Sequence, residues 1–209
     1  MDISVIIPFN KNRGFLHEAV KSAENQTFTG SVQILKWFGL NSVAKNINSA
    51  LEVAEGRYIK LCAEDDLLTP NCLNDLYTKI EQGYDMVIAN AINRDKEEEV
   101  EFKSEVPMDL FTLSKYNSIH GLTVLYRKEA LDFIKEEYDY YFDESLDCAE
   151  EYDLHLRLLK HGAKIGYVNS VVGIYRIHAD QKSLGANVYK GDRIKQRFDT
   201  IQKIKRKYL

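Results

Sequence analysis

The chain has 209 residues, of which 44% are hydrophobic and 11% aromatic, and this is enough apolar material to fill the core of one large domain. A formal net charge of −4 argues against a nucleic-acid partner, because phosphate binding requires a clear excess of cations on one face. Three cysteines without a C-x-x-C pair suggest no disulfide framework or zinc site, and no apolar run approaches a membrane span, so we predict a soluble, cytoplasmic protein.

Strand and helix patterns alternate through the first part of the chain. The predicted elements are strand Ile3–Pro8, helix Gly14–Gln26, strand Val32–Phe38, helix Val43–Ala54, strand Tyr58–Cys62, helix Pro70–Gly83 and strand Tyr84–Asn90. This alternation predicts an α/β fold with a mostly parallel central sheet and helices on both faces. Ligands of such sheets bind beyond the carboxyl ends of the strands.

The second half of the chain contains fewer regular patterns. The charge-dense stretch Asn93–Ser104 is typical of an exposed hairpin or loop. The further predicted elements are strand Leu122–Tyr126, helix Lys128–Lys135, helix Glu150–His161, and strands Lys164–Tyr167 and Val171–Tyr175. Since no linker or repeat interrupts this order, we predict one domain over residues 1–185.

Residues 186–209 are predicted to form a basic amphipathic helix, packed on the domain or extending from it. Its lysines and arginines alternate with Ile194, Phe198, Ile201 and Ile204 at helical spacing. The basic face is either solvated or attracted to anionic lipid headgroups. In the second case the protein would make peripheral contact with the inner face of a membrane.

Three acidic residues, Glu64-Asp65-Asp66, directly follow the predicted strand Tyr58–Cys62. Adjacent carboxylates repel one another unless a cation or solvent relieves the repulsion. A magnesium or manganese ion takes one or two carboxylates together with substrate phosphate oxygens, so this cluster suits a metal-bound diphosphate. The alternative is an acidic turn ahead of the helix that begins at Pro70.

Two later clusters carry groups with possible catalytic roles. Glu150 and Glu151 begin a predicted helix, where one of them is either a general base or part of an ordinary charged helix start. His178 ends the run Tyr175-Arg176-Ile177-His178, and a histidine at a strand end can complete a carboxylate metal site.

Taken in chain order, these motifs resemble those of the family 2 glycosyltransferases. The matching segments are Ser4–Asn10, Ala19–Ala23 with Gln26–Phe28, Lys45-Asn46, Ala54–Ile59, Asp65-Asp66 with Pro70, Glu150–Leu158 and Tyr175–His178. The resemblance runs from Ile3 to about Ser183. It implies a GT-A fold and an inverting enzyme that uses Mn²⁺ or Mg²⁺ to transfer a sugar from a nucleoside diphosphate, UDP rather than GDP or dTDP. The implied acceptor is a hydroxyl of a glycan or lipid-linked glycan.

The resemblance also implies roles for individual residues. The implied donor-binding residues are Pro8, Phe9, Asn10, Lys45, Glu64 and Asp65, and the implied metal ligands are Asp66, Asp65 and His178. The implied catalytic residues are Glu151, which matches the family's base, and Glu150, the other candidate for that role. The implied acceptor-binding residues are His120 and Gly121. Gly121 would allow a ligand to approach the backbone, although a turn would equally require a glycine.

This chain departs from the family pattern at three points. An Asp-Asp-Gly-Ser-type loop that holds the base is absent after the second strand, because Val32–Leu40 runs almost straight into Asn41-Ser42. Ala63 stands at the first acidic position of the DxD-type motif, and Glu151 replaces an aspartate. The missing loop and Ala63 leave one alternative, a nucleotide-sugar-binding or scaffold module with weak or no catalysis. A second alternative is a sugar nucleotidyltransferase, which would also use a parallel sheet and acidic metal ligands.

Overall fold

The computed structural model describes residues 1–11, 13–39, 42–107, 109–146, 148–178 and 192–208. The strands are β1 (Ile3–Phe9), β2 (Val32–Phe38), β3 (Tyr58–Leu61), β4 (Leu67–Leu68), β5 (Met86–Asp95), β6 (Glu98–Phe102), β7 (Leu125–Arg127) and β8 (Ile165–Ile177). The helices are α1 (Leu16–Glu24), α2 (Val43–Leu51), α3 (Cys72–Ile80), α4 (Leu110–Lys115), α5 (Lys128–Tyr138), α6 (Glu150–Lys160) and α7 (Asp192–Tyr208), with a short 3-10 helix at Gly121–Thr123.

The strands form one sheet in the order β2-β1-β3-β7-β5-β8-β4, and β6 pairs with β5 outside this path. β1, β2, β3, β5 and β8 run in one direction, whereas β4, β6 and β7 run in the other. The predicted α/β fold is confirmed, and five of the eight described strands share one direction, but the sheet is mixed because four of the seven described strand pairings are antiparallel. The antiparallel insertion of β7 between β3 and β5 was not predicted, because an apolar run does not encode the direction of its strand.

Helices cover both faces of the sheet, as predicted. Alternate residues of each strand point to opposite faces, so Ile6 and Ile59 join a core with α2, α4, α5, α6 and α7. Val5 and Tyr58 join a second core, which is closed by α1 and α3. Because β1, β2 and β3 are parallel, their carboxyl ends meet at one edge of the sheet, with helices on either face.

Several elements differ from the predictions. The two strands predicted at Lys164–Tyr167 and Val171–Tyr175 are one strand, β8, with register shifts opposite Asn90 of β5. The hairpin predicted within Asn93–Ser104 is confirmed as β5 and β6. β4, α4 and the 3-10 helix were missed because they are too short to show a hydrophobic period.

The described part of the C-terminal helix packs on the domain. Ile204 of α7 is fully buried, Lys207 forms an ion pair with Asp143, and the Tyr208 hydroxyl donates to Asp153 Oδ1 at 3.0 Å. The predicted boundary at residues 185 and 186 lies outside the described residues. Among the helices that the structure describes, none is long and apolar enough to cross a membrane.

Candidate active site

The acidic cluster forms a tight turn at the end of β3. The Cys62 amide still donates to Ile6 of β1, at 3.0 Å, and the Asp66 amide closes the turn on the Ala63 carbonyl at 3.1 Å. This geometry gives the neighbouring acidic residues different environments. Glu64 and Asp66 are buried, whereas the side chain of Asp65 keeps 18% of its surface exposed.

Asp65 and His178, two of the predicted metal ligands, lie side by side. Asp65 Oδ2 is 2.9 Å from His178 Nε2, and both side chains remain partly exposed. The His178 ring also packs against Phe15, with 4.9 Å between ring centroids. A carboxylate and an imidazole suit Mn²⁺ or Mg²⁺, provided that diphosphate oxygens and water complete the coordination. Within the described residues, no three His, Cys, Asp or Glu side chains converge on a single metal position.

Asp66, the third predicted ligand, is engaged with the protein itself. Its Oδ1 accepts a hydrogen bond from the Arg176 amide at 3.2 Å. Burial raises the pKa of Asp66 well above its usual value, and the Asp65 charge raises it further. The structure therefore presents Asp65 and His178 at the surface and uses Asp66 to fasten the turn to β8; a metal-binding role for Asp66 stays a prediction.

Two basic residues hold the acidic turn in place: Arg13, which was not a predicted site residue, and Arg176, which lies in the motif that ends at His178. Arg13, from the loop after β1, forms an ion pair with the buried Glu64. Arg176 Nε donates to the Asp65 carbonyl, and the same guanidinium pairs with Glu18 of α1. Glu64 was predicted to bind the donor, but its described contact is this internal ion pair. The sequence pointed to Arg13 only through its position in the loop after the first predicted strand.

Lys60 is a buried lysine of β3, shortly before the acidic turn. It is fully buried in β3, and its Nζ donates to the carbonyls of Leu61 and Leu122. Burial lowers the pKa of this lysine. Because the Leu122 carbonyl belongs to the 3-10 helix, Lys60 ties the acidic turn to the segment that contains His120 and Gly121.

The predicted donor-binding residues of the first strand lie at the same sheet edge. Pro8 and Phe9 are half-buried and Asn10 is exposed, with Asn10 Oδ1 accepting from Arg13 at 3.2 Å. Lys45 is exposed in the first turn of α2, where its amide donates to Ser42 Oγ at 3.3 Å. Its side chain makes no ion pair with any residue that the structure describes.

Glu150 and Glu151 occupy the first turn of α6, after Ala149, whose φ of 63° is left-handed. Glu150 is buried, whereas Glu151 is half-buried against Gly121. A Cβ atom added at Gly121 would lie 3.3 Å from Glu151 Cγ and 3.4 Å from Glu151 Oε1. The absence of a side chain at Gly121 therefore makes room for the Glu151 carboxylate, and it brings a predicted base and a predicted acceptor residue into contact.

His120 stands edge-on between two aromatic side chains. Its ring centroid is 5.4 Å from that of Phe102 and 4.8 Å from that of Tyr175. Burial lowers the pKa of His120 to about 4, so the ring is neutral near pH 7. Since Nδ1 accepts from the Leu122 amide at 3.2 Å, the proton lies on Nε2, which is a hydrogen-bond donor. Phe102 and Tyr175 were not predicted to border the site.

The chain is similar in sequence to known glycosyltransferases. The model of the family described as "Glycosyl transferase family 2" matches residues 39–135. A curated protein of Campylobacter jejuni, GalNAc(5)-diNAcBac-PP-undecaprenol beta-1,3-glucosyltransferase, is 27% identical over 88% of this chain and 68% of its own length. These matches confirm the resemblance to family 2 glycosyltransferases and support the prediction of a hexosyl-transferring enzyme.

Solved structures of S. aureus TarS share the fold. Residues 1–349 of TarS in complex with UDP-GlcNAc superpose with a TM-score of 0.67, at 17% identity over 87% of this chain and 60% of TarS 1–349. The complex with UDP gives a TM-score of 0.62, at 19% identity over 85% and 61% of the two chains. The GT-A fold is thereby confirmed. This chain spans about 60% of the TarS chains that it matches.

Proposed function

We propose that this chain is an inverting glycosyltransferase that moves a sugar from a nucleoside diphosphate, in the first instance UDP, to a hydroxyl of a glycan or lipid-linked glycan. The observation that carries the proposal is the contact between Glu151 and Gly121. It places a partly exposed carboxylate beside the predicted acceptor segment. Lys60 joins that segment to the turn that presents Asp65 beside His178.

Glu151 acts as the general base of the proposed reaction. Its carboxylate accepts the proton of the acceptor hydroxyl, and the hydroxyl oxygen attacks the anomeric carbon on the face opposite to the departing diphosphate. The neutral His120 donates through Nε2 to a second acceptor oxygen and so orients the sugar. Glu150, being buried, is less accessible to an acceptor than Glu151.

Asp65 and His178 act on the leaving-group side. Together they would hold Mn²⁺ or Mg²⁺, which supplies the positive charge that a departing diphosphate requires in a partly dry site. Arg176 adds a fixed cation next to Asp65, because its guanidinium is held by the Asp65 carbonyl and Glu18. Arg13, from the loop after β1, fixes the same turn through its ion pair with Glu64.

A lipid-linked acceptor is supported by the printed name of the C. jejuni relative, which acts on an undecaprenol-linked glycan. Such an acceptor lies at a membrane surface. The exposed lysines and arginines of α7, among them Lys203 and Arg206, would attract anionic headgroups. We therefore place the protein in the cytoplasm, in peripheral contact with the inner face of a membrane.

Binding and transfer measured separately test the proposal. Calorimetry with UDP-sugars and Mn²⁺ should show donor binding by the wild type and by Glu151→Gln, while transfer to a glycan acceptor falls at least 100-fold in Glu151→Gln. Glu150→Gln is the control and should keep transfer. Asp65→Asn should weaken the Mn²⁺-dependent part of donor binding. Normal transfer by Glu151→Gln would remove the base assignment, and donor binding without transfer to any acceptor would favour the binding-module alternative.

A further inference from the structure

Two aromatic side chains are exposed on α4 and directly after it. Phe111 is 54% exposed and Tyr116 is 65% exposed. Leu113 and Ser114 of the same helix are fully buried. Lys115 lies one turn after Phe111, and its Nζ is 3.9 Å from the centroid of the Phe111 ring. The outward face of a soluble helix is normally polar, and exposed apolar rings rimmed by charged residues mark contacts with proteins or membranes.

α7 continues this surface with a third ring and a concentration of positive charge. Phe198 is 60% exposed, and it lies two helical turns before Lys205, whose Nζ donates to the Lys115 carbonyl at 3.0 Å. Phe198 is therefore on the side of α7 that meets α4. α7 contains seven lysines and arginines against two aspartates, a net charge of +5, whereas the whole chain carries −4. The rest of the chain consequently carries −9, so its positive charge is concentrated on α7.

The exposed charges of α7 are available to an external partner. Lys203 and Arg206 are exposed, and neither forms an ion pair with a residue that the structure describes. An anionic bilayer complements both features of the surface, because aromatic rings favour the level of the lipid headgroups and each lysine or arginine nearby attracts acidic lipids. The surface, called the α4–α7 face below, comprises Phe111, Lys115, Tyr116, Phe198, Lys203 and Arg206.

The α4–α7 face is fixed to both segments of the proposed acceptor side. The Tyr152 hydroxyl shares its hydrogen bond between the carbonyls of Leu113 and Ser114, at 3.0 Å from each, so α4 is held on α6 beside the proposed base. Tyr116 precedes His120 by four residues, which limits the distance between their Cα atoms to about 14 Å. A surface that docks on α4 is therefore held at a fixed distance from the proposed base and acceptor-binding residues.

We propose that the α4–α7 face docks on an anionic bilayer, with Phe111 and Tyr116 at the level of the headgroups and the basic residues of α7 against acidic lipids. The rings add an apolar contribution that salt does not screen, beyond the attraction of the α7 charges alone. Docking presents the glycan of a lipid-linked acceptor to Glu151, and this second part of the inference rests on the proposed function. The docking itself requires no nucleotide sugar.

Co-sedimentation with vesicles measures docking without a transfer reaction. The wild type should bind vesicles of phosphatidylcholine and phosphatidylglycerol, and it should bind vesicles of phosphatidylcholine alone about tenfold or more weakly. Phe111→Ala should weaken binding to the anionic vesicles about tenfold, as expected for a ring withdrawn from the interface. Lys203→Gln combined with Arg206→Gln should weaken it about thirtyfold, roughly fivefold for each charge.

Matched variants control for the loss of a ring or of two charges elsewhere. Phe133→Ala removes a 45% exposed ring from α5, and Lys21→Gln combined with Lys36→Gln removes two exposed charges from α1 and β2. Both should bind the anionic vesicles as the wild type does. A wild type that binds neither kind of vesicle, or binds both equally, would overturn the proposal, and so would equal binding by Phe111→Ala and Phe133→Ala. A wild-type dimer that Phe111→Ala dissociates in light scattering would show that a second copy covers the face instead.

Transfer assays separate the docking from the proposed function. Phe111→Ala should lower transfer to a lipid-linked glycan in anionic vesicles about tenfold, in line with its weaker binding, and should leave transfer to the same glycan in soluble form unchanged. Equal transfer by the wild type and Phe111→Ala to the vesicle-bound acceptor would refute the presentation of the acceptor by this face. If the wild type docks on anionic vesicles but transfers to neither acceptor, the docking is supported and the proposed function alone fails.

Discussion

Removal of the Asp153 carboxylate should destabilise the whole domain through one buried charge. Asp153 and Arg157 lie one turn apart on α6, both with fully buried side chains, and Arg157 Nε is 2.9 Å from Asp153 Oδ2. Arg157 also donates to the Tyr141 carbonyl at 2.7 Å. In Asp153→Ala the guanidinium keeps this neutral acceptor but loses its counter-charge in a site that water does not reach.

The expected loss of stability in Asp153→Ala follows from the burial of its ion pair with Arg157. Breaking a buried ion pair by removing one partner costs about 3–5 kcal/mol, because a buried charge is left without compensation. The Tyr208 hydroxyl and Lys207 lose the same acceptor, so the contact between α7 and α6 weakens as well. For a chain of this size each kcal/mol shifts Tm by about 2–4 °C, and the expected fall is roughly 6–20 °C.

Urea denaturation followed by circular dichroism gives the free energy of unfolding for this comparison. The control is Lys128→Ala, which breaks another pair with the same helical spacing, Lys128 with Asp132, whose side chains are 26% and 40% exposed. Lys128→Ala should lower the free energy of unfolding by less than about 1 kcal/mol, because solvent screens an exposed ion pair. If Asp153→Ala loses no more stability than Lys128→Ala, the reasoning from burial is wrong.

Two further predictions concern the site and the pH dependence of stability. Gly121→Ala should lower kcat about tenfold with unchanged donor affinity, because its Cβ would displace the Glu151 carboxylate by a few tenths of an ångström; a kcat equal to that of the wild type would contradict the contact. Burial lowers the pKa of His155 to about 3. Between pH 6.5 and pH 3 the histidine is therefore protonated in the unfolded chain but neutral in the folded protein. This difference should lower the free energy of unfolding by about 1.4 kcal/mol for each pH unit from pH 6.5 towards pH 3. Urea denaturation across that range measures the slope, and His155→Gln should lack this contribution.

The first half of the fold was predictable because its elements are long enough to show a hydrophobic period. β2 has the predicted bounds, Val32–Phe38, and the acidic turn follows the third strand as expected. The second half depends on contacts between distant segments. The short β7 inserts antiparallel between β3 and β5, and the bulged β8 spans two predicted strands. Pairing of this kind is decided by tertiary packing rather than by local pattern.

The sequence pattern does not distinguish between candidate residues that are adjacent in the chain. Asp65 and Asp66 share one motif, yet the turn exposes the first beside His178 and buries the second under Arg176. A tight turn changes side-chain direction at every residue, and no pattern of residue types records this. The contact between Gly121 and Glu151 joins residues thirty positions apart, so it too required the structure.

The end of β8, with His178 directly after it, sets the spacing of three contacts in the candidate site. Tyr175 reaches the His120 ring, Arg176 holds the acidic turn, and His178 meets Asp65, all within four consecutive residues. If a strand shifts its pairing by one residue, each of its side chains moves to the opposite face of the sheet. Insertions between the bulge opposite Asn90 and His178 would therefore misplace the proposed acceptor-binding and metal-binding residues together, so related sequences should keep the length of this segment unaltered.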